Sequence, residues 1–132
     1  MTPRHFTLEE ANSMLPWLAE TFSALMPIRE ELVQEQERLL VMMRGGRGNG
    51  SSSHGTEITE LQRKVDRLTE DLQRVAREIS QRGIIVRDIG RWLVDFPSMR
   101  EGREVYLCWV RGELEIGFWH ETDTGFGNRQ PI

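Results

Sequence analysis

The clearest hydrophobic pattern in the chain lies between residues 56 and 82. Apolar residues recur there at alternating steps of three and four, the a/d pattern of a coiled-coil heptad, at Ile58, Leu61, Val65, Leu68, Leu72, Val75 and Ile79. Most other positions are charged, and Gly83 follows as a helix C-cap would. Such a narrow seam predicts a long helix that packs against one or two other helices. The predicted interface residues are Leu61, Val65, Leu68 and Leu72.

A second helical pattern covers residues 7 to 44. Thr7 and Glu10 form a T-x-x-E capping box, and apolar residues then follow at helical spacing. Pro16 and Pro27 interrupt the pattern because proline lacks the backbone N–H that a helix interior needs. Two arrangements stay open: one long kinked helix, or a short helix followed by a second helix with Pro16 in its first turn.

Residues 45–55 are rich in Gly and Ser and contain His54. Because such a segment has nothing to bury, it predicts a flexible loop. The two helical segments are then expected to fold back on each other as an antiparallel hairpin over about residues 7–82. A second copy of the chain would complete a four-helix bundle.

The pattern changes to that of a β-sheet in residues 83–132. Short β-rich runs predict strands or strand-like segments at 84–86, 94–97, 105–110 and 114–120. Pro97 predicts that its segment lies on an edge of the sheet, since proline cannot donate to a central ladder. Residues 111–113 predict the turn of a hairpin. The chain is thus expected to be one α+β domain over residues 1–132, with a long, coiled-coil-like antiparallel helical hairpin followed by a small antiparallel β-sheet and a C-terminal tail.

Composition narrows the function classes. The chain of 132 residues has 17 basic and 21 acidic residues and a net charge of -4, which argues against a nucleic-acid-binding protein. No apolar run approaches the roughly 18–20 residues that cross a bilayer, and no signal-peptide core follows Met1. A cytoplasmic protein without membrane contact is therefore expected. The single cysteine, Cys108, can form neither an internal disulfide nor a cysteine-only zinc site.

Motifs at both ends of the chain are similar to those of a known family. They are Phe6–Asn12 with Leu15-Pro16, then Gly83-Ile84, Leu93–Pro97, Gly102–Trp109, Gly112-Glu113, and Trp119–Glu121 with Gly125-Phe126 and Arg129. Over essentially its whole length the chain resembles the small bacterial family catalogued as domain of unknown function 2203. The resemblance implies a bacterial cytosolic protein of about this size, and it brings no assigned activity.

The C-terminal tail contains the strongest cluster of chemically capable residues. His120, Glu121, Asp123 and Arg129 lie around the predicted end of a strand and a glycine-containing loop. Imidazole and carboxylate groups suit a divalent transition metal, and Glu104 is a candidate third ligand. A structural network that holds the tail in place is the alternative interpretation.

Two arginines are candidates for an anion site. Arg129 and Arg103 belong to the tail and to the β-rich segment, and their guanidinium groups suit phosphate or carboxylate. Cys108 is a candidate nucleophile only if a base lies near it. With the turn centred near Gly112, His120 is expected about four strand residues away, or about 13 Å. Cys108 is therefore predicted to be a core residue.

These observations favour two functions. The first is a non-enzymatic, oligomeric interaction or scaffolding module, a homodimer or a partner of another helical protein, built on the heptad seam. The second is a metal-binding or small-ligand-binding protein, or a small enzyme, with its site at the C-terminal cluster. The sequence decides neither the reaction nor the metal.

Overall fold

The computed structural model of the chain describes residues 4–45 and 52–132. These residues form three helices, α1 (Leu8–Ser13), α2 (Leu15–Gly45) and α3 (Ser52–Gln81). They also form five strands and a short 3₁₀ turn: β1 (Ile85–Asp88), β2 (Leu93–Arg100), β3 (Arg103–Val110), β4 (Phe118–Glu121), the turn Phe126–Asn128 and β5 (Gln130–Pro131). The fold is α+β, with long helices followed by an antiparallel sheet, as the sequence predicts.

The start of the helical region follows the second of the two predicted arrangements. Thr7 and Glu10 make the predicted capping box, in which each backbone N–H donates to the other side chain at nitrogen-to-oxygen distances of 2.9 and 3.1 Å. Hydrogen bonds from Thr7 keep the pKa of Glu10 below its ordinary value. α1 is short, and Pro16 lies in the first turn of α2, where its missing N–H has no helical partner to lose. Pro27 lies inside α2 without ending it.

The predicted loop is shorter than its composition indicates. Ser52–Gly55 belong to the first turn of α3. Extending an established helix by a turn costs little per residue, even through weak helix formers. The rest of the predicted loop, residues 46–51, lies outside the described residues.

The described chain forms two compact units. One comprises the chain up to Phe22 together with Ala76–Ile132, and the other is Ser23–Val75. In the second unit the heptad seam of α3 packs against α2, as the hairpin prediction expects. Buried there are Leu32, Leu39, Leu61 and Val65, with Met42, Ile58, Leu68 and Leu72 packed around them. Two of the predicted interface residues, Leu61 and Val65, are thus buried within the chain itself.

The sheet of the first unit is an antiparallel meander in the order β1-β2-β3-β4-β5. The prediction that residues 94–97 form an edge segment is wrong, because β2 lies between β1 and β3. Pro97 fits there because the pairing with β1 ends at Asp95. Beyond that point the Phe6 N–H donates to the Pro97 carbonyl at 2.7 Å, and the Ser98 hydroxyl donates to the Phe6 carbonyl at 2.6 Å.

The fourth strand starts later than predicted. β4 begins at Phe118, whereas Leu114 is 99% exposed and outside any strand. Ile116 is buried, and its N–H donates to the Asn12 side chain at 2.8 Å. The connection between β3 and β4 is therefore a long one, which shifts the register so that Cys108 pairs with Phe118.

The two faces of the sheet differ in character. On the core face, Phe96 meets Phe6 edge-on with ring centroids 5.2 Å apart, and Trp109 stacks on Phe22 at 6.2 Å. Side chains alternate along each strand, so the residues between these point to the opposite face. That face presents Asp95, Cys108 and His120. No helix in the described part of the chain has the length and apolarity to span a membrane.

Candidate metal centre

Three adjacent strands bring three different ligating side chains together. Asp95 on β2 pairs directly with Cys108 on β3, and His120 on β4 pairs with Tyr106, two residues from Cys108. Residues two apart on a strand share a face, so all three project from the same side of the sheet. A carboxylate oxygen, the thiol sulfur and a ring nitrogen lie within 4.8 Å of one another. All three residues are buried, at 2%, 0% and 2% exposure.

His120 is oriented through both ring nitrogens. Its Nδ1 lies 2.8 Å from the backbone carbonyl of Glu121, which can only accept, so Nδ1 donates there. Its Nε2 faces the carboxylate of Asp95 at 3.0 and 3.1 Å. Metal-binding histidines commonly donate one N–H to a backbone carbonyl and ligate through the other nitrogen. The imidazole of His120 has that orientation, with Nε2 directed into the cluster.

Asp95 is held by a second partner, Arg87. The Nε of Arg87 donates to Oδ2 of Asp95 at 2.8 Å. Burial lowers the pKa of Arg87, but the hydrogen bond and the negative charge of Asp95 raise it more, so the net shift is upward. The pairing between β1 and β2 is irregular between Val86 and Asp88, and such bulges re-aim side chains. The bulge thus places Arg87 on the buried carboxylate.

Cys108 is not an activated nucleophile. Burial, together with the negative charge of Asp95, raises the pKa of its thiol to about 11, although Arg129 opposes the shift. In a nucleophile–histidine–carboxylate triad, the nucleophile and the carboxylate occupy different ring nitrogens. Here the carboxylate of Asp95 faces Nε2 of His120, and Nδ1 is bonded to a backbone carbonyl. The three side chains therefore do not have the arrangement of such a triad.

A cavity of about 360 Å³ adjoins the three side chains. Arg87, Leu93 and the segment from Thr122 to Phe126 form its other walls. The guanidinium groups of Arg91 and Arg129 lie 4.4 and 4.2 Å from the centroid of the Phe126 ring. The cluster is therefore buried beneath a short segment and borders a space large enough for a water or a small ligand.

Of the four ligand candidates from the sequence, His120 and Asp123 line this cavity. Asp123 is exposed at its rim. Glu121 points to the other face of the sheet, where the guanidinium of Arg103 donates to its carboxylate at 3.1 Å. Glu104 is exposed and bonded to His5 at 2.7 Å. The structure therefore does not bring Glu121 or Glu104 to His120.

The two anion candidates both have carboxylate partners. Arg129 lies 3.1 Å from Glu113 and stacks over Phe118 at 4.0 Å. Arg103 pairs with Glu121, and their mutual attraction lowers the pKa of Glu121 and raises that of Arg103. Each guanidinium is thus already paired, and the two lie on opposite faces of the sheet.

Sequence reasoning missed two members of the cluster, Asp95 and Cys108. The estimate of about 13 Å between Cys108 and His120 is wrong because it assumed a tight turn. Cys108 pairs with Phe118, so His120 lies only two residues further along β4. The alternation of side chains along each strand could have indicated this cluster. Alternation shows that Asp95 and His120 share a face, however, only once the pairing register of their strands is known.

The family model described as "Uncharacterized conserved protein (DUF2203)" matches residues 4–132. No curated protein and no solved structure matches the chain.

Proposed function

The chain belongs to the DUF2203 family of uncharacterised conserved proteins, and we propose that it binds one divalent transition metal of the zinc class through Asp95, Cys108 and His120. The observation that most supports this proposal is the convergence of three different buried donor atoms within 4.8 Å. Carboxylate, thiolate and imidazole are the three side-chain ligand types that zinc uses in proteins.

The distances within the cluster fit this metal. With zinc bonds of about 2.0–2.2 Å to nitrogen and oxygen, a tetrahedral centre places these two atoms about 3.3–3.5 Å apart. The observed separation of His120 Nε2 from the Asp95 oxygens is 3.0 to 3.1 Å. In a tetrahedral zinc site a sulfur ligand lies about 3.6 Å from the nitrogen and oxygen ligands. The sulfur of Cys108 lies within 4.8 Å of the His120 nitrogen and the Asp95 oxygen. The nitrogen and oxygen are therefore within a few tenths of an ångström of the separation that zinc requires, and the sulfur needs to move closer by at most about 1.2 Å.

A purely structural hydrogen-bond network would not require the thiol of Cys108. Arg87, Asp95, His120 and the Glu121 carbonyl already satisfy one another's hydrogen bonds. Cys108 adds a poor hydrogen-bond donor but a strong ligand for zinc. A bound cation deprotonates a coordinating thiol, even one whose pKa burial has raised. Its position favours metal binding over the purely structural interpretation.

Three protein ligands leave one coordination position for a further group. This number is typical of sites that keep a water or a substrate on the metal, whereas structural zinc sites use four protein ligands. The cavity beside the cluster supplies the space for that group. Arg87 orients the Asp95 carboxylate, and the segment Thr122–Phe126 limits solvent access to the cluster. A metal held by the three side chains would supply a polarised water at this position.

Elemental analysis of protein purified without chelators tests the proposal. We expect close to one zinc, or a metal of similar preference, per chain, and its loss in His120→Ala and Cys108→Ser. His5→Ala is the matched control, because His5 is exposed and bonded to Glu104 instead. Metal-free protein that takes up no zinc on addition would contradict the proposal, as would equal metal content in His120→Ala and His5→Ala.

Cobalt substitution tests the sulfur ligand separately. Cobalt(II) bound to a thiolate absorbs in the near ultraviolet through sulfur-to-metal charge transfer. We expect this band in the cobalt-loaded protein and its absence in Cys108→Ser, with the visible bands kept if Asp95 and His120 still bind. An unchanged spectrum in Cys108→Ser would exclude the thiolate as a ligand.

A second candidate function is the self-association that the heptad pattern predicts. The seam residues Leu61 and Val65 are buried inside the hairpin. Val33, Leu40 and Met43 of α2 are nevertheless 41%, 52% and 56% exposed, and their spacing places them along one side of the helix. This exposed apolar stripe favours a second copy of the chain as its partner.

A further inference from the structure

A second cavity lies on the core face of the sheet and takes no part in the metal centre. Its volume is about 360 Å³, close to the lower end of the range of small-molecule sites. The start of α1 and the strands β2, β3 and β4 enclose it, and its buried walls are Phe6, Ser98, Val105, Leu107 and Trp119. Four of these five side chains are apolar. The interior therefore suits the apolar part of a ligand.

Three exposed apolar side chains lie at the rim of this cavity. Leu8, Met99 and Ile132 line it and are 37%, 51% and 49% exposed. They are three of the eight large apolar side chains that are exposed in the described part of the chain. Single exposed apolar residues are ordinary, but a group of them around one concave site indicates a binding surface.

One cation at the cavity lacks a carboxylate partner. Arg100 lines the site, and its guanidinium lies 4.5 Å from the centroid of Trp119. Arg100 makes no ion pair with any described residue, whereas Arg87, Arg103 and Arg129 each have one. The charge of Arg100 contributes to lowering the pKa of Glu121, but the carboxylate of Glu121 is hydrogen-bonded to Arg103. Arg100 therefore has donors available to an incoming anion.

The indole N–H of Trp119, a residue that lines the cavity, is not used inside the described part of the chain. Trp119 is 6% exposed, and its indole N–H has no hydrogen bond with the residues that the structure describes. Because no buried polar side-chain atom in that part of the chain lacks a partner, this N–H must reach accessible space. The other polar residues that line the cavity, His5, Thr7 and Ser98, are hydrogen-bonded within the chain. The guanidinium of Arg100 is therefore the cation that remains for a ligand with an apolar body and a single anionic group.

We propose that this cavity binds a small carboxylate with an apolar body. The carboxylate accepts from the guanidinium of Arg100, and the body lies against Leu107 and Trp119. This site is independent of the metal, because Trp119 and His120 are consecutive on β4 and point to opposite faces of the sheet.

Titration with octanoate tests the proposal, with octan-1-ol and octan-1-amine as probes of the same chain length. Binding is followed through the indole N–H resonance of Trp119, assigned by its loss in Trp119→Phe. We expect saturable shifts with octanoate, at least tenfold weaker binding of octan-1-ol, and no binding of octan-1-amine. Equal affinities for the three probes, or no saturable shift, would overturn the proposal.

Substitutions at Arg100 locate the anion. We expect Arg100→Gln to weaken the binding of octanoate at least tenfold without changing the affinity for octan-1-ol. Arg100→Lys should restore part of the affinity for octanoate. Arg111→Gln is the matched control, because Arg111 is exposed and does not line the cavity. Unchanged octanoate affinity in Arg100→Gln would overturn the proposal. A decrease in His120→Ala would show that octanoate binds at the metal centre instead, and would equally overturn it.

Discussion

Cys108 shows how surroundings decide the chemistry of a single residue. It is fully buried in the sheet, and burial together with the charge of Asp95 raises the pKa of its thiol to about 11. Because thiolate is the reactive form, a free thiol with this pKa is almost entirely unreactive at pH 8. The residue is suited to a role as a metal ligand, in which the cation itself displaces the proton.

The reactivity of this thiol is the first prediction at the residue scale. In metal-free protein, iodoacetamide should label Cys108 on the order of a hundredfold more slowly than free cysteine at pH 8, since its thiolate fraction is that much lower. The rate should rise with pH up to about 11. Mass spectrometry of timed samples measures it, and the urea-unfolded chain is the control. Rapid labelling of the folded protein at pH 8 would contradict the account.

The buried pair of Asp95 and His120 gives the second prediction. Asp95→Ala removes the acceptor that faces both His120 and Arg87. Leaving a buried polar group without its hydrogen-bond partner typically costs about 1–3 kcal/mol, and more where that group is charged. We expect the free energy of unfolding, measured with urea, to fall by about that amount. Asp123→Ala is the matched control, because Asp123 is exposed and its loss should cost less than about 0.5 kcal/mol. Equal effects of the two substitutions would contradict the prediction.

At the scale of elements, the end of α3 depends on one glycine. Gly83 has φ of +89°, and its N–H donates to the Ser80 carbonyl at 2.9 Å. A Cβ at this position would lie 3.1 Å from the Cβ of Arg4. The prediction that Gly83 caps the helix is confirmed, and the close approach of Arg4 is an additional reason for glycine here.

Gly83→Ala should therefore destabilise the protein. A side chain in this backbone region costs about 1–2 kcal/mol, and the contact with Arg4 adds to it. Gly112 has a positive φ but open space around it, so Gly112→Ala measures the cost of the backbone conformation alone. Gly117 has neither a positive φ nor a close neighbour, so Gly117→Ala is the control. Thermal unfolding should rank the losses as Gly83 first, then Gly112, then Gly117. A different order would show that the account of Gly83 is wrong.

The helices could be predicted from the sequence, whereas the strand register could not. A helical period is local, so the heptad from Ile58 to Ile79 predicts both the helix and its buried side. A strand's partner depends on the turn before it, and the turn here extends to Gly117 instead of ending at Glu113. Because of this error of two residues in register, the sequence analysis placed Cys108 far from His120 and did not predict most of the proposed metal centre.

At the scale of the whole molecule, the central question is whether the helical hairpin associates with a second copy. Leu40 belongs to the exposed apolar stripe of α2, and Leu114 is an equally apolar exposed residue of the other unit. Leu40→Glu should shift the chain toward the monomer in light scattering, because it places a charge in the proposed interface. Leu114→Glu should leave the mass unchanged. The same mass for wild type, Leu40→Glu and Leu114→Glu would argue against this interface.

The most direct test of the metal centre is X-ray absorption spectroscopy at the zinc edge of the loaded protein. The account predicts one sulfur at about 2.3 Å and nitrogen or oxygen ligands at about 2.0–2.2 Å. The sulfur shell should disappear in Cys108→Ser and persist in His5→Ala. A shell of nitrogen and oxygen alone in the wild-type protein would place any bound zinc elsewhere and contradict the assignment to Asp95, Cys108 and His120.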